Sequence, residues 1–240
     1  MTRIAVEGVQ KSFGGLRAVA GVSFALGDGE LVGLIGPNGS GKTTLLSLVS
    51  GHELPDGGRV LLDGKEIQGL SPTRIARAGL MRMFQLTRVF RRMSALDNLL
   101  TTGRALGLSR PEASARAATI LAELGLSGVA ELDAGHLSGG QQKLLEFGCC
   151  FMVPPRIALL DEPFAAVHPS LKETLAGYIR KRHAEGQTFL VVSHDMPVVA
   201  ELCIRTVCMN AGSVIADGPT RAVLSDPRVI EAYLGGEGEA

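Results

Sequence analysis

The residues best suited to chemistry form one compact run, Gly36-Pro37-Asn38-Gly39-Ser40-Gly41-Lys42-Thr43-Thr44. It fits G-x-x-x-x-G-K-[ST] at every position and sits between a short apolar run, 31–35, and a helical segment, 43–50, the context this pattern requires. Gly36, Gly39 and Gly41 let backbone N–H groups curl around phosphate oxygens, and the following helix adds the partial positive charge of its N-terminus. Lys42 reaches the outer phosphates, and the Thr43 hydroxyl is a ligand for Mg2+.

A second feature is an apolar stretch, 157–160, ending in Asp161 and Glu162. An acid at a strand end is by itself ordinary. Coupled to a phosphate loop, the pair supplies one carboxylate, Asp161, to a Mg2+ shell and a second, Glu162, to an attacking water. A third is Leu137-Ser138-Gly139-Gly140-Gln141-Gln142, where Ser138, Gly139 and Gly140 open a helix whose N–H groups form another anion site.

With that hexapeptide between a phosphate loop upstream and an Asp-Glu pair downstream, the sequence resembles the ATP-binding subunits of ABC transporters over residues 2–235. The resemblance implies ATP and Mg2+ as cofactors. It makes Phe13 a stacking surface for adenine, a contact worth about 1–3 kcal/mol by analogy with bases. It makes Gln85 a contact to Mg2+ and the attacking water, and His194 a contact to the γ-phosphate. Ser138, Gly139, Gly140 and Gln141 would act in trans, capping the ATP held by a second ATPase subunit arranged head to tail, identical or paralogous. The further partners implied are two integral-membrane permeases and, indirectly, an external solute-binding protein. The chain would then be cytoplasmic and peripheral on the inner face of the cell membrane.

Within the family, the runs 13–19, 84–90, 193–196 and 226–235 look like the branched-chain amino acid importers. Asp161-Glu162-Pro163-Phe164-Ala165 leans toward the lipopolysaccharide-export ATPases, and urea and amide importers share most of these features. A non-transport ABC ATPase would carry a long coiled-coil insert or a second cassette. The chain departs from the family pattern at Ala166, usually Gly, and at His168, usually an acid or amide that bonds across the dimer interface.

The elements that must position these residues read as α/β. Residues 3–9 and 19–26 alternate apolar and polar residues, 31–35 is a strand buried on both faces, and 59–62 is another strand closed by Asp63-Gly64. From 94 to about 153 the strand signal gives way to helical segments at 95–102 and 112–124. Strands return at 157–160, 188–192, 206–209 and 213–216, with helices from 169 to 183 and after Met196. The expected fold is a P-loop NTPase (RecA-like) core with an antiparallel β subdomain and an inserted α-helical subdomain. The divisions are 2–85 for the β subdomain and the start of the core, 86–153 for the helical subdomain and 154–235 for the rest, with a flexible tail at 236–240.

Composition narrows the classes. With 24 basic and 24 acidic residues in 240, the net charge is zero, which disfavours nucleic acid as a partner. Hydrophobic residues reach 45%, but the apolar runs break after a few residues, so a membrane span of about 20 apolar residues is excluded. The first ten residues lack a secretory signal. Cys149, Cys150, Cys203 and Cys208 show no metal-ligand spacing and read as reduced, mostly buried thiols. Residues 71–92 hold six arginines and no acid, which is either a solvated face or a surface that docks a permease near anionic lipid.

Overall fold

The apolar runs that break at a glycine or a charge become strands of one mostly parallel sheet in the computed structural model, which describes residues 2–84, 88–165 and 167–235. β3 (Leu31–Ile35), β7 (Ile157–Asp161) and β8 (Thr188–Val192) bury every residue, as strands covered on both faces must. With β6 (Leu80–Met83), β9 (Arg205–Asn210) and the antiparallel β10 (Ser213–Pro219) they form a six-stranded sheet in the order β10-β9-β3-β8-β7-β6. β1 (Thr2–Phe13), β2 (Leu16–Gly27), β4 (Gly57–Leu62) and β5 (Lys65–Glu66) form a separate antiparallel sheet in the order β2-β1-β4-β5. Asp63 and Gly64, at φ 48° and 75°, make the two-residue turn between β4 and β5; two positive φ values match the right-handed twist of a hairpin.

Alternate residues of the parallel strands divide the interior into two cores. Val32, Leu34, Leu159 and Leu190 face α1 (Lys42–Val49) and the antiparallel sheet. Leu31, Ile35, Leu160 and Phe189 face the other side. There they meet residues of α3 (Ala95–Ala105), α4 (Arg110–Glu123), α5 (Gly139–Cys150) and α6 (Pro169–Ala184). Phe147 and Phe151, on and just after α5, pack edge-to-face against Tyr178 of α6, with the three ring centroids 4.8–5.2 Å apart, so the helix that begins at Ser138 is anchored to the sheet's neighbour. α3, α4 and α5 start at serines whose Oγ accepts the N3 amide, from Asp97, Glu112 and Gln141 respectively. No named strand lies between β6 and β7 among the described residues.

The chain closes with α7 (Met196–Leu202), α8 (Thr220–Leu224) and α9 (Pro227–Gly235). Two parts of the basic stretch 71–92 have structure that its charge did not announce: α2 (Pro72–Arg77) and β6, the edge strand of the parallel sheet. The cysteines are free thiols, with Cys150, Cys203 and Cys208 buried. Among the described residues no helix is long and apolar enough to cross a membrane. The expected tail, 236–240, lies outside the described residues.

Candidate active site

The loop between β3 and α1 turns through left-handed backbone at Gly36, Gly39 and Gly41, with φ of 146°, 78° and 99°. At two of these positions space forbids a side chain as well. A Cβ on Gly36 would lie 2.1 Å from the Met209 carbonyl oxygen, and one on Gly41 would lie 2.3 Å from that of Ala18. The loop is gripped by the β9–β10 turn: Gly212 N–H donates to Ser40 O at 3.1 Å, and Ala20 N–H of β2 donates to Gly212 O at 2.8 Å. Lys42 Nζ donates to the carbonyls of Gly36 and Pro37 at 2.7 and 2.9 Å and to Ser40 Oγ at 3.3 Å. Burial holds its pKa below the usual lysine value, while Glu162 and Asp161 pull it the other way.

Asn38, Gly39, Ser40, Gly41, Lys42, Thr43 and Thr44 line a cleft of about 430 Å³ together with Asp161 and Glu162. Phe13, 47% exposed at the end of β1, stands at its rim with the Lys11 ammonium 5.3 Å from its ring centre. Pro37 faces a neighbouring cleft shared with Asn38. The parallel register brings these together: β7 pairs with β8 from Ile157 to Asp161, and β8 with β3, so the carboxylates and the loop emerge at the same C-terminal edge.

Asp161 is 1% exposed, and its Oδ2 is paired with Arg82 Nη2 at 3.0 Å. Arg82 belongs to β6, one strand over, and also donates to Ser47 Oγ at 2.9 Å and Ser50 Oγ at 3.3 Å at the end of α1. Its guanidinium and that of Arg88 lie over the Phe84 ring, 4.8 and 4.0 Å from the centroid. Arg82 is therefore neither solvated nor available to lipid. Composition had counted it as one of six charges. The signal available was local: it is the charged residue of an otherwise apolar strand, Leu80-Met81-Arg82-Met83.

Glu162 takes φ 52°, a left-handed conformation that costs a non-glycine residue about 1 kcal/mol or more. It is held there from three sides. Its N–H donates to Val192 O at 3.0 Å, and its carbonyl accepts from the buried Lys143 Nζ of α5 at 2.7 Å. Its Oε2 is 2.9 Å from His194 Nδ1 and also accepts the His194 N–H at 3.4 Å. Lys143, which the sequence had not singled out, thus ties the helix beginning at Ser138 to the backbone of Glu162.

Ser138, Gly139, Gly140 and Gln141 do not line the cleft with the loop residues. Ser138 and Gln141 spend their side chains on a reciprocal cap, Gln141 N–H to Ser138 Oγ at 3.3 Å and Ser138 N–H to Gln141 Oε1 at 3.0 Å. Gly140 is pressed against α6, where a Cβ would lie 2.4 Å from Leu171 Cδ1, whereas Gly139 faces open space. His168 is the N-cap of α6; its Nδ1 accepts the Ser170 amide at 3.3 Å, the local task an Asp or Asn performs elsewhere. Gln85 and Ala166 lie outside the described residues.

Residues 19–165 match the ABC transporter family. The chain belongs to that family. Residues 213–239 match in addition the branched-chain amino acid ATP-binding cassette transporter family. The cassette is 41% identical to the high-affinity branched-chain amino acid transport ATP-binding protein BraF of Pseudomonas aeruginosa, over 96% of each chain. It superposes with a TM-score of 0.88 on an ATP-binding cassette of an ABC transporter in its ADP conformation, 34% identical over 98% of this chain and 99% of that one. A dimeric cassette in a post-hydrolysis state bound to ADP and Pi matches with a TM-score of 0.83, 26% identical over 91% of this chain and 99% of that one.

Two expectations follow from the buried charges of the cassette. Arg82→Met strands the Asp161 carboxylate and lowers stability by about 3–5 kcal/mol in urea unfolding, and adding Asp161→Leu recovers most of that loss. Glu146 of α5 is buried, its Oε2 without a hydrogen-bond partner among the described residues, and desolvation pushes its carboxyl from 4.5 up to about 7, against the backbone amides of Arg88 and Phe84 that favour the charge. The folded state therefore keeps a proton that the unfolded state releases, so the contribution is intact below pH 4.5 and is lost as pH rises through 7. Glu146→Gln is expected to gain up to about 3 kcal/mol on the parent across that window, read from denaturation midpoints.

Proposed function

We propose that this cassette binds and hydrolyses ATP, and that two cassettes together power import of branched-chain or related amino acids through separate membrane permeases. The observation that carries the reading is the meeting of the phosphate loop, Asp161 and the His194-braced Glu162 in one cleft. The loop amides and Lys42 hold the triphosphate. Lys42 exchanges its loop carbonyls for phosphate oxygens, whose charge favours the ammonium. Glu162 accepts a proton at its carboxylate from the water that attacks the γ-phosphate in line. His194 orients that carboxylate through Nδ1 and presents its ring, 68% exposed, to the reacting phosphate. Phe13 at the rim is the stacking surface for adenine.

The donor set suits Mg2+. Asp161 Oδ1 is buried without a hydrogen-bond partner among the described residues, and Thr43 lines the same cleft; Gln85 is the third donor in this proposal. When bound, the ion would supply positive charge against the phosphates. Since Ser138, Gly139, Gly140 and Gln141 stand away from the cleft of their own chain, their use is on the ATP of a second subunit. The dimeric relative supports such an arrangement. Residues 86–153 would follow the permease, 2–85 and 154–235 would hold the nucleotide, and the subunit would sit on the inner face of the membrane through its permeases. The cargo rests on the name of BraF and the match of residues 213–239.

Glu162→Gln keeps the fold and the nucleotide while steady-state phosphate release falls about 10²- to 10⁴-fold, the usual contribution of a general base, and ATP then traps a dimer on size exclusion. A variant that hydrolyses at the parental rate overturns the assignment. For the cargo, deleting the chain from its host is expected to abolish high-affinity uptake of labelled leucine, isoleucine and valine; unchanged uptake of all three rejects it.

A further inference from the structure

The first amide of the phosphate loop is held by the far end of the chain. Gly36 N–H donates to Tyr233 Oη at 2.6 Å across 197 residues of sequence. Gly36 is buried and wedged, with φ 146° and the Met209 carbonyl and Ser40 Oγ occupying the space where a Cβ would stand. A buried amide must be paired. Tyr233 supplies the partner.

The hydroxyl is delivered by α9. That helix packs on β10 and α8, buries Val229 at 2% exposure, and is preceded by Asp226, whose Oδ1 accepts the Arg228 amide at 2.9 Å. Away from Tyr233 the loop and α9 diverge: Pro37, Asn38, Arg228 and Glu231 line an open cleft between them. Among the described residues, the Gly36–Tyr233 bond is the one hydrogen bond between the loop and α9. Burial pushes the Tyr233 hydroxyl up to about 12, so it stays neutral through the physiological range and the bond does not titrate there.

We infer that Tyr233 is a positioning residue of the nucleotide site: by accepting the Gly36 amide, docked α9 holds the loop in its phosphate-receiving shape. This rests on the ATPase reading above. Because coupling between sites is reciprocal, nucleotide in the loop tightens the docking of α9, and whatever lifts α9 away loosens the nucleotide.

Tyr233→Phe tests the link by removing one oxygen and keeping the ring. Fluorescent ATP-analogue binding is expected to weaken about three- to tenfold, the range for one buried hydrogen bond, with KM rising by the same factor and kcat unchanged. In the nucleotide-free full chain, hydrogen exchange at the Gly36 amide accelerates while the unfolding midpoint shifts little. Adding ADP slows exchange across α9 in the parent and does so less in the variant. Parental affinity together with parental Gly36 exchange overturns the inference. A fall in kcat at constant KM also overturns it, since that places Tyr233 in the chemical step. The Gly36 exchange measurement needs no nucleotide, so a failure of the ATPase reading is seen separately, as an absence of binding in the parent.

Discussion

Backbone N–H groups converge on a single anion only if the chain between a strand and a helix turns through left-handed conformations, and here that turn is made where almost nothing but glycine fits. The carbonyls of Met209 and Ala18 stand 2.1 and 2.3 Å from where side chains at Gly36 and Gly41 would begin. The loop is therefore shaped from outside, by the ends of β2 and β9, as much as by its own residues. The β9–β10 turn, with Ala211 and Gly212 at φ 44° and 78°, completes the grip through Ser40 O. Parallel pairing of β3 with β8 and of β8 with β7 then places Asp161, Glu162 and His194 at the same edge as the loop.

Charge at that edge is managed by burial and pairing. Asp161 is too buried to be held by water, and Arg82 pairs with one of its oxygens while the other has no hydrogen-bond partner among the described residues. Arg82 reaches in turn to α1 and to the Phe84 ring, so the carboxylate is tied to residues immediately before 85–87. Glu162 is tied on the opposite side, its carbonyl to Lys143 of α5 and its carboxylate to His194. The two acids adjacent in sequence thus report to different parts of the molecule, Asp161 to β6 and α1, Glu162 to the helix that begins at Ser138. A shift of either support would move the acid it holds.

His168 illustrates how a departure from family pattern can preserve a local task. Its Nδ1 caps α6 as a short acid or amide would, and because it accepts the Ser170 amide, that nitrogen carries no proton in the capped state. The ring is exposed, so the other nitrogen remains available to a neighbour. The cap survives the substitution while the group presented outward changes from a carboxylate or amide to an imidazole.

What the residues determined by themselves was everything encoded over short range. The glycine pattern of the loop, the apolar strand ending in Asp161-Glu162, and the serine caps of α3, α4 and α5 are local, and their spacing is enough to name the chemistry and the α/β class. Tertiary structure decided the rest, because it turns on partners far apart in sequence. Apolar flanks mark Arg82 as a strand residue within the run 71–92, but its partner follows only from a strand register that sets it beside Asp161, 79 residues away. Lys143 looks like any helix lysine until its Nζ meets the Glu162 carbonyl. Tyr233 reads as a terminal aromatic until α9 packs on β10 and delivers its hydroxyl to Gly36. Each of these groups is a buried donor, acceptor or charge, and a buried polar group acquires its function from whichever partner the fold brings within hydrogen-bond distance.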